Sequence, residues 1–282
     1  MTTTSANVSH SDVSLSDARL EELAQILRTA EETRTPCPML TDVEPGLTLA
    51  HAYAIQKKNI ARRLARGRSG ARCRVVGHKV GITSKAVMEW LRVDQPDFGH
   101  LLDEMWVPDQ SECKTELLLQ PRIEGEIAFV LGSKLMGPGL TVVDVIRAID
   151  CALPALEIID SRVAEWKILV QDTIADNASS GMFVLGGPPV SIRGLDLVKL
   201  GMTMRKNGAV VSTGAGINCL GNPLNAVVWL AGALKEQGLS MRPGQVISLG
   251  SFSALLPPKP GLQATVHYEG VTGLQPVSVR FR

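Results

Sequence analysis

Two glutamates two residues apart stand in the segment Pro121-Arg122-Ile123-Glu124-Gly125-Glu126-Ile127. Side chains alternate faces along a strand, so Glu124 and Glu126 point together while Ile123, Gly125 and Ile127 point away. Such a pair is either a solvated strand face or a set of hard oxygen ligands for Mg2+ or Mn2+. A third carboxylate, Glu157, lies in the apolar run 155–159. Burying it is costly unless it pairs with a cation, for which Arg122 and Arg162 are at hand, or joins the first two on a metal. Three anionic ligands on one dication would leave room for a chelating substrate and a water. Lys79, in Gly77-His78-Lys79-Val80-Gly81-Ile82-Thr83, is either a snorkelling surface lysine or a desolvated one with a depressed pKa. Asp97 sits in the turn-like run 94–99 and either caps the turn or exchanges protons. The small, polar stretch 172–181 is an irregular loop or a wall for a substrate carboxylate.

The elements that must position these groups follow from periodicity. Leu20, Leu23, Ile26 and Leu27 recur at helical spacing behind Ser16 as N-cap, and a second helix is expected from Thr48 to near Gly67. Residues 1–15, rich in Ser and Thr, read as a frayed tail. The expected organisation is a tail over 1–15, an N-terminal helical region over 16–70 and a β-rich catalytic part over 71–282. Strand signals cover 74–81, 126–131, 155–159, 182–185, 201–205, 245–249, 264–268 and 277–281. Asn207-Gly208 predicts a type I′ hairpin turn. Helices are expected at 84–91, 142–151 and 223–236, the last with Asn222 as N-cap, Pro223 at its first position and Gly238 as stop. Several strands with few helices among them predict an α+β, mixed β fold with peripheral helices.

The chain has 282 residues, with 29 Lys+Arg against 28 Asp+Glu and a net charge of +1. Nothing in that balance supports binding to nucleic acid or to an anionic membrane. No segment reads as an uninterrupted membrane span or as a signal peptide. Cys37, Cys73, Cys113, Cys151 and Cys219 are odd in number and form no CxxC, which suits free thiols in a reducing, cytoplasmic setting.

Taken together, Gly-x-Lys-x-Gly-x-Thr (77–83), Pro-Asp-Phe-Gly (96–99), Gln-Pro-Arg-x-Glu-x-Glu (120–126) and Ala-Asp-Asn-Ala-Ser (175–179) resemble the fumarylacetoacetate hydrolase superfamily. More narrowly, from about Leu20 to Arg282 they resemble its 2-keto-4-pentenoate hydratase branch. The resemblance implies a mixed β-roll with an N-terminal helical region and a homo-oligomer. It implies a Mg2+ or Mn2+ site on Glu124, Glu126 and Glu157, an active-site lysine at Lys79 and an acid/base aspartate at Asp97. Ser161, Asp176, Asn177 and Ser179 fall in segments that border the family's substrate pocket. The implied reaction adds water to 2-hydroxypenta-2,4-dienoate or a close homologue in meta-cleavage degradation of aromatic compounds. A complex with a decarboxylase or aldolase of the same pathway is a further implied partner. The nearest alternative is 4-oxalocrotonate decarboxylase, whose branch tends to carry Pro-Lys at Pro121-Arg122, a non-acidic residue at Asp97 and no Trp166-Lys167 step. Another 2-keto acid hydrolase and a non-catalytic partner subunit are the remaining alternatives.

Overall fold

The computed structural model describes residues 15–66, 73–252 and 254–282. The tail expected over 1–15 therefore lies outside the described residues, except that Leu15 packs against the N-terminal helices. In chain order the helices are α1 (Asp17–Thr33), α2 (Leu40–Val43), α3 (Leu49–Arg66), α4 (Lys85–Leu91), α5 (Val142–Ala148), α6 (Val170–Ala175) and α7 (Pro223–Glu236). The strands are β1 (Val75–Gly81), β2 (Asp97–Leu102), β3 (Trp106–Pro108), β4 (Glu112–Cys113), β5 (Pro121–Leu131), β6 (Ile149–Asp160), β7 (Ser180–Leu185), β8 (Gly201–Lys206), β9 (Ala209–Ala215), β10 (Val246–Ser248), β11 (Gln263–Glu269) and β12 (Val277–Phe281).

Seven strands form one mixed sheet in the order β2-β1-β10-β5-β6-β7-β3, and five form a second in the order β4-β12-β11-β8-β9. Apolar side chains of both sheets, with α5 and α7, share one core that includes Ile123, Ile127, Phe129, Met202, Val266 and Leu230. Gly125 lies where the two sheets meet: a Cβ there would press on Met202 and Val266, so only glycine lets β5 approach that closely. A smaller core joins α1, α2 and α3 to Val163, Ile174 and Ala175. The helical region thus packs on α6 and the loop after β6.

Local signals explain most boundaries. Ser16 accepts from the Arg19 amide and Ser84 from the Val87 amide, capping α1 and α4. Asn222 caps α7 ahead of Pro223. Asn207 and Gly208 both take positive φ (48° and 85°), as the β8–β9 hairpin requires. Two expectations need correction. Residues 97–99 do not end a turn but open β2, every residue of which is buried. The helix expected to reach Cys151 stops at Ala148, because Ile149 onwards pairs with β5. The run Gly216–Glu236 is long and apolar enough to cross a membrane on length and composition. Its α7 residues Leu224, Val227, Leu230 and Leu234 are buried in the core, which accounts for that apolarity.

Candidate active site

Antiparallel pairing of β5 with β6 sets Glu124 directly opposite Glu157, with Glu126 on the same face of β5. One carboxylate oxygen from each of the three lies within 4.8 Å of the others. Glu126 and Glu157 are fully buried, whereas Glu124 is half-buried at the cavity side. The Ser248 hydroxyl on β10 donates to Glu126 Oε2. Glu126 Oε1 and both carboxylate oxygens of Glu157 lack hydrogen-bond partners. Buried, mutually repelling acceptors without donors are a set that a divalent cation would satisfy.

Lys79, on β1, is buried with its Nζ 3.4 Å from Glu157 Oε1, within ion-pair range but outside hydrogen-bonding geometry. β10 and β5 stand between β1 and β6. In a flat sheet three strand spacings amount to about 14 Å. The contact therefore requires a curled sheet whose concave face gathers long side chains. Lys79, and not Arg122 or Arg162, is the cation beside Glu157. Arg162 instead forms an ion pair with Asp176, and Arg122 stacks on the Trp166 ring.

Asp97 begins β2 opposite Gly81 of β1. A methyl group on Gly81 would collide with Asp97 Oδ1 and stand 3.2 Å from Lys79 Nζ, so this glycine keeps the two side chains on a common space. Thr173 donates to Asp97 Oδ2 at 3.4 Å, while Oδ1 has no partner. The backbone around this space is strained: Ile82 and the consecutive residues Asn177, Ala178 and Ser179 all have positive φ.

Electrostatics follow from burial and crowding. Burial, and then Glu157, push the Glu124 carboxyl up to about 7. Glu126 is raised well above its usual range by burial and by Glu157 and Glu124, and Glu157 is raised chiefly by burial. Burial likewise raises Asp97, against the pull of Lys79. Burial alone would lower Lys79, but Glu157, Asp97, Glu124 and Glu126 together reverse that and raise it. Without a metal, Lys79 is therefore a firm ammonium, contrary to the depressed pKa expected from desolvation.

Lys79, Asp97, Glu124 and Ser179 line one cavity of about 930 Å³, walled by α4 and by Trp166, Ile168 and Leu220. That size accommodates a small organic acid. Of the four residues expected around the substrate, Ser179 is at the cavity wall. The other three lie behind it, held by internal bonds. Ser161 Oγ bonds the Val163 backbone, and Asn177 clamps the backbone of His100 at both its N–H and C=O. Asp176 pairs with Arg162; it and Asn177 face a separate cavity against α1 and α3. Ser248 was not expected at the site, and Thr173 was expected only as part of the polar stretch 172–181. A lone serine between Ile247 and Leu249 was the available signal for the first.

Known proteins resemble this chain along most of its length. The model of the fumarylacetoacetate (FAA) hydrolase C-terminal family matches residues 88–275. A 2-keto-4-pentenoate hydratase of Paraburkholderia xenovorans (strain LB400) is 46% identical over 251 residues, covering 89% of this chain and 91% of its own. A 2-hydroxypent-2,4-dienoate hydratase of Pseudomonas putida is 49% identical over 222 residues, 78% of this chain and 96% of that one. Among solved structures, 4-oxalocrotonate decarboxylase from Pseudomonas putida G7, complexed with magnesium and adipate, superimposes with a TM-score of 0.90. It is 39% identical, covering 95% of this chain and 99% of that chain. With the curled mixed sheet, the paired carboxylates and this coverage, the chain belongs to the fumarylacetoacetate hydrolase family, on its 2-keto-4-pentenoate hydratase branch.

Proposed function

We propose that the protein is a metal-dependent hydratase that adds water to 2-hydroxypenta-2,4-dienoate, or a close homologue, giving a 4-hydroxy-2-oxoacid. The observation that carries this reading is the meeting of three carboxylates, an ammonium and an unpartnered aspartate oxygen, with Glu124, Lys79 and Asp97 opening onto one cavity. Glu124, Glu126 and Glu157 would hold Mg2+ or Mn2+, which supplies Lewis-acid polarisation of the substrate's carboxylate and 2-oxygen. Lys79, held as an ammonium by its carboxylate neighbours, gives a proton to the terminal carbon of the dienol and recovers one from the 2-hydroxyl as the unsaturated ketone forms. Asp97 Oδ1 is free to accept a proton from the water that adds at C4 and to return it at C3, while Thr173 fixes the other oxygen. Ser248 orients Glu126 by its hydroxyl. Ser161, Asp176 and Asn177 act at one remove, holding the wall that carries Ser179. The protein works as a homo-oligomer on this reading, with a pathway decarboxylase or aldolase as a further partner.

A second reading, decarboxylation of 4-oxalocrotonate, is favoured by the 0.90 TM-score to a decarboxylase. It needs an electron sink but no base near C4, and so gives Asp97 no task. The purified protein decides the matter when loss of dienol absorbance and release of carbon dioxide are followed in parallel, with and without Mg2+ or Mn2+. Metal-dependent dienol loss yielding 4-hydroxy-2-oxopentanoate supports hydration. Stoichiometric carbon dioxide from 4-oxalocrotonate with no hydration overturns it.

A further inference from the structure

Arg122 is left without a task by the chemistry above. It lies two residues before Glu124, so it shares that face of β5, and it lines the same cavity. From Glu126 through Glu124 to Arg122 the face runs from the buried floor toward the open side. Among the described residues the Arg122 guanidinium has neither an ion-pair nor a hydrogen-bond partner. The other cations lining the cavity are committed: Lys79 to Glu157, and Lys85 at the outer rim to Glu89.

The guanidinium is nonetheless held in place. Its central carbon stands 4.4 Å from the centroid of the Trp166 ring. Trp166 is itself braced, because its indole Nε1 donates to the Gln120 carbonyl at 3.0 Å. The Gln120 side chain holds the loop after β6 at three points. It donates to the carbonyls of Ser161 and Val163 at 3.0 and 2.8 Å, and accepts from the Glu165 amide at 2.7 Å. Glu165 and Trp166 both carry positive φ (58° and 57°), a strained pair that the clamp maintains. A stacked, oriented, unpaired guanidinium inside a cavity presents a two-pronged donor edge to an incoming planar anion.

We propose that Arg122, positioned by Trp166, is the residue that recognises the carboxylate of the 2-oxo acid substrate. This rests on the hydratase reading for the identity of the substrate. The substrate's carboxylate then lies between the glutamate cluster and the guanidinium, and its hydrocarbon end turns toward Lys79 and Asp97. Such an anchor contributes to binding in ground and transition states alike, so its loss raises KM with kcat nearly unchanged.

The test uses the Mg2+-loaded protein with two non-reacting probes, 2-oxopentanoate and the uncharged 2-oxopentanamide, measured by titration calorimetry. Arg122→Gln is expected to weaken the acid roughly 30- to 100-fold and leave the amide unchanged, as for one lost bidentate charged contact. Arg122→Lys keeps the charge without the fork and is expected to recover part of that loss. Trp166→Leu is expected to weaken the acid by about fivefold and Trp166→Phe to restore it, a pattern set by support of the guanidinium. Mg2+ affinity without probe is expected to stay at the wild-type value in all four variants. Equal binding of the acid by wild type and Arg122→Gln, or equal weakening of acid and amide, overturns the assignment of Arg122 while leaving the hydratase reading standing. Failure of the wild type to bind the acid in the presence of metal overturns both.

Discussion

Replacing Glu124 by Gln should make the metal-free protein more stable at neutral pH while abolishing its response to metal. In the fold, burial and the Glu157 charge raise the Glu124 carboxyl from 4.5 to about 7. A raised carboxylate binds its proton more tightly folded than unfolded. Its stabilising contribution is therefore complete below about pH 4.5 and is lost as pH rises through about 7. A shift of about 2.5 units corresponds to roughly 3 kcal/mol. Because Glu124 is only partly buried and borders the cavity, solvent screening brings this to about 2 kcal/mol. Wild type in chelator should thus lose about that much stability relative to Glu124→Gln between pH 5 and pH 8, and relief of Glu126, which Glu124 also raises, adds to the difference in the same direction. A divalent cation at about a hundred times its Kd should return roughly 2.7 kcal/mol to the wild type and little to the variant. Urea unfolding at several pH values, with chelator or MgCl2, measures both. A Glu124→Gln protein that is less stable than wild type in chelator at pH 8, or equally stabilised by Mg2+, would refute the crowding argument.

Asp97→Asn keeps the size of the side chain and removes the base. Hydration of the dienol should fall by roughly 10²–10⁴ in stopped assays of product, with Mg2+ affinity unchanged. Lys79→Ala should lower turnover far more than it lowers metal affinity, read by calorimetry, because an ammonium is not a ligand. An increase in metal affinity is acceptable, since one positive charge beside the cluster is gone; a loss of affinity comparable to the loss of turnover would count against the role. On the opposite face of β1, burial holds the His78 imidazole down to about 3 and that of its neighbour His100 to about 4. Both are neutral in the fold, so they cost nothing above about pH 6.5, and stability falls below it by about 1.4 kcal/mol per pH unit per histidine until the folded value is passed. His78→Leu should flatten that acid limb in chemical unfolding, and an unchanged slope would show that His78 protonates freely.

The candidate site was the most legible part of the sequence, because its signals are local. Alternation placed Glu124 and Glu126 together, and the isolation of Glu157 in an apolar run marked it as needing a partner. What remained hidden was long-range. Nothing near Glu157 in sequence announces Lys79 as its neighbour, and the available cations Arg122 and Arg162 pointed to the wrong pair. The sign of the Lys79 shift was missed for the same reason: desolvation is visible in the flanking residues, but four converging carboxylates are visible only in three dimensions. Asp97 was read as a turn residue because Pro96 and Gly99 flank it, yet pairing with β1 draws the segment into a buried strand. Very short strands such as β3 and β4 carry too few residues for a period-2 pattern to stand out. The family resemblance reached Ser161, Asp176 and Asn177 as pocket neighbours without distinguishing wall from backing, a distinction set by their hydrogen bonds to Arg162, Val163 and His100.

The order β2-β1-β10-β5-β6 has a temporal meaning for a chain made from its N-terminus. The β1–β2 pair, with Lys79 and Asp97, and the β5–β6 pair, with the three glutamates, are each contiguous enough to form by themselves. The strand that joins them is Val246–Ser248, which emerges only after both. Until it does, β1 and β5 each present an open edge, and the glutamate cluster stands without its ammonium. Insertion of three residues, Val246, Ile247 and Ser248, then seals both edges, brings the Ser248 hydroxyl to Glu126 and brings Lys79 to Glu157 in a single event. Completion of the site is in this way tied to near-complete synthesis of the chain: a polypeptide interrupted before β10 can join its two halves only through Asn177 and Thr173 on the far side of β2, without the strand that pairs with both β1 and β5.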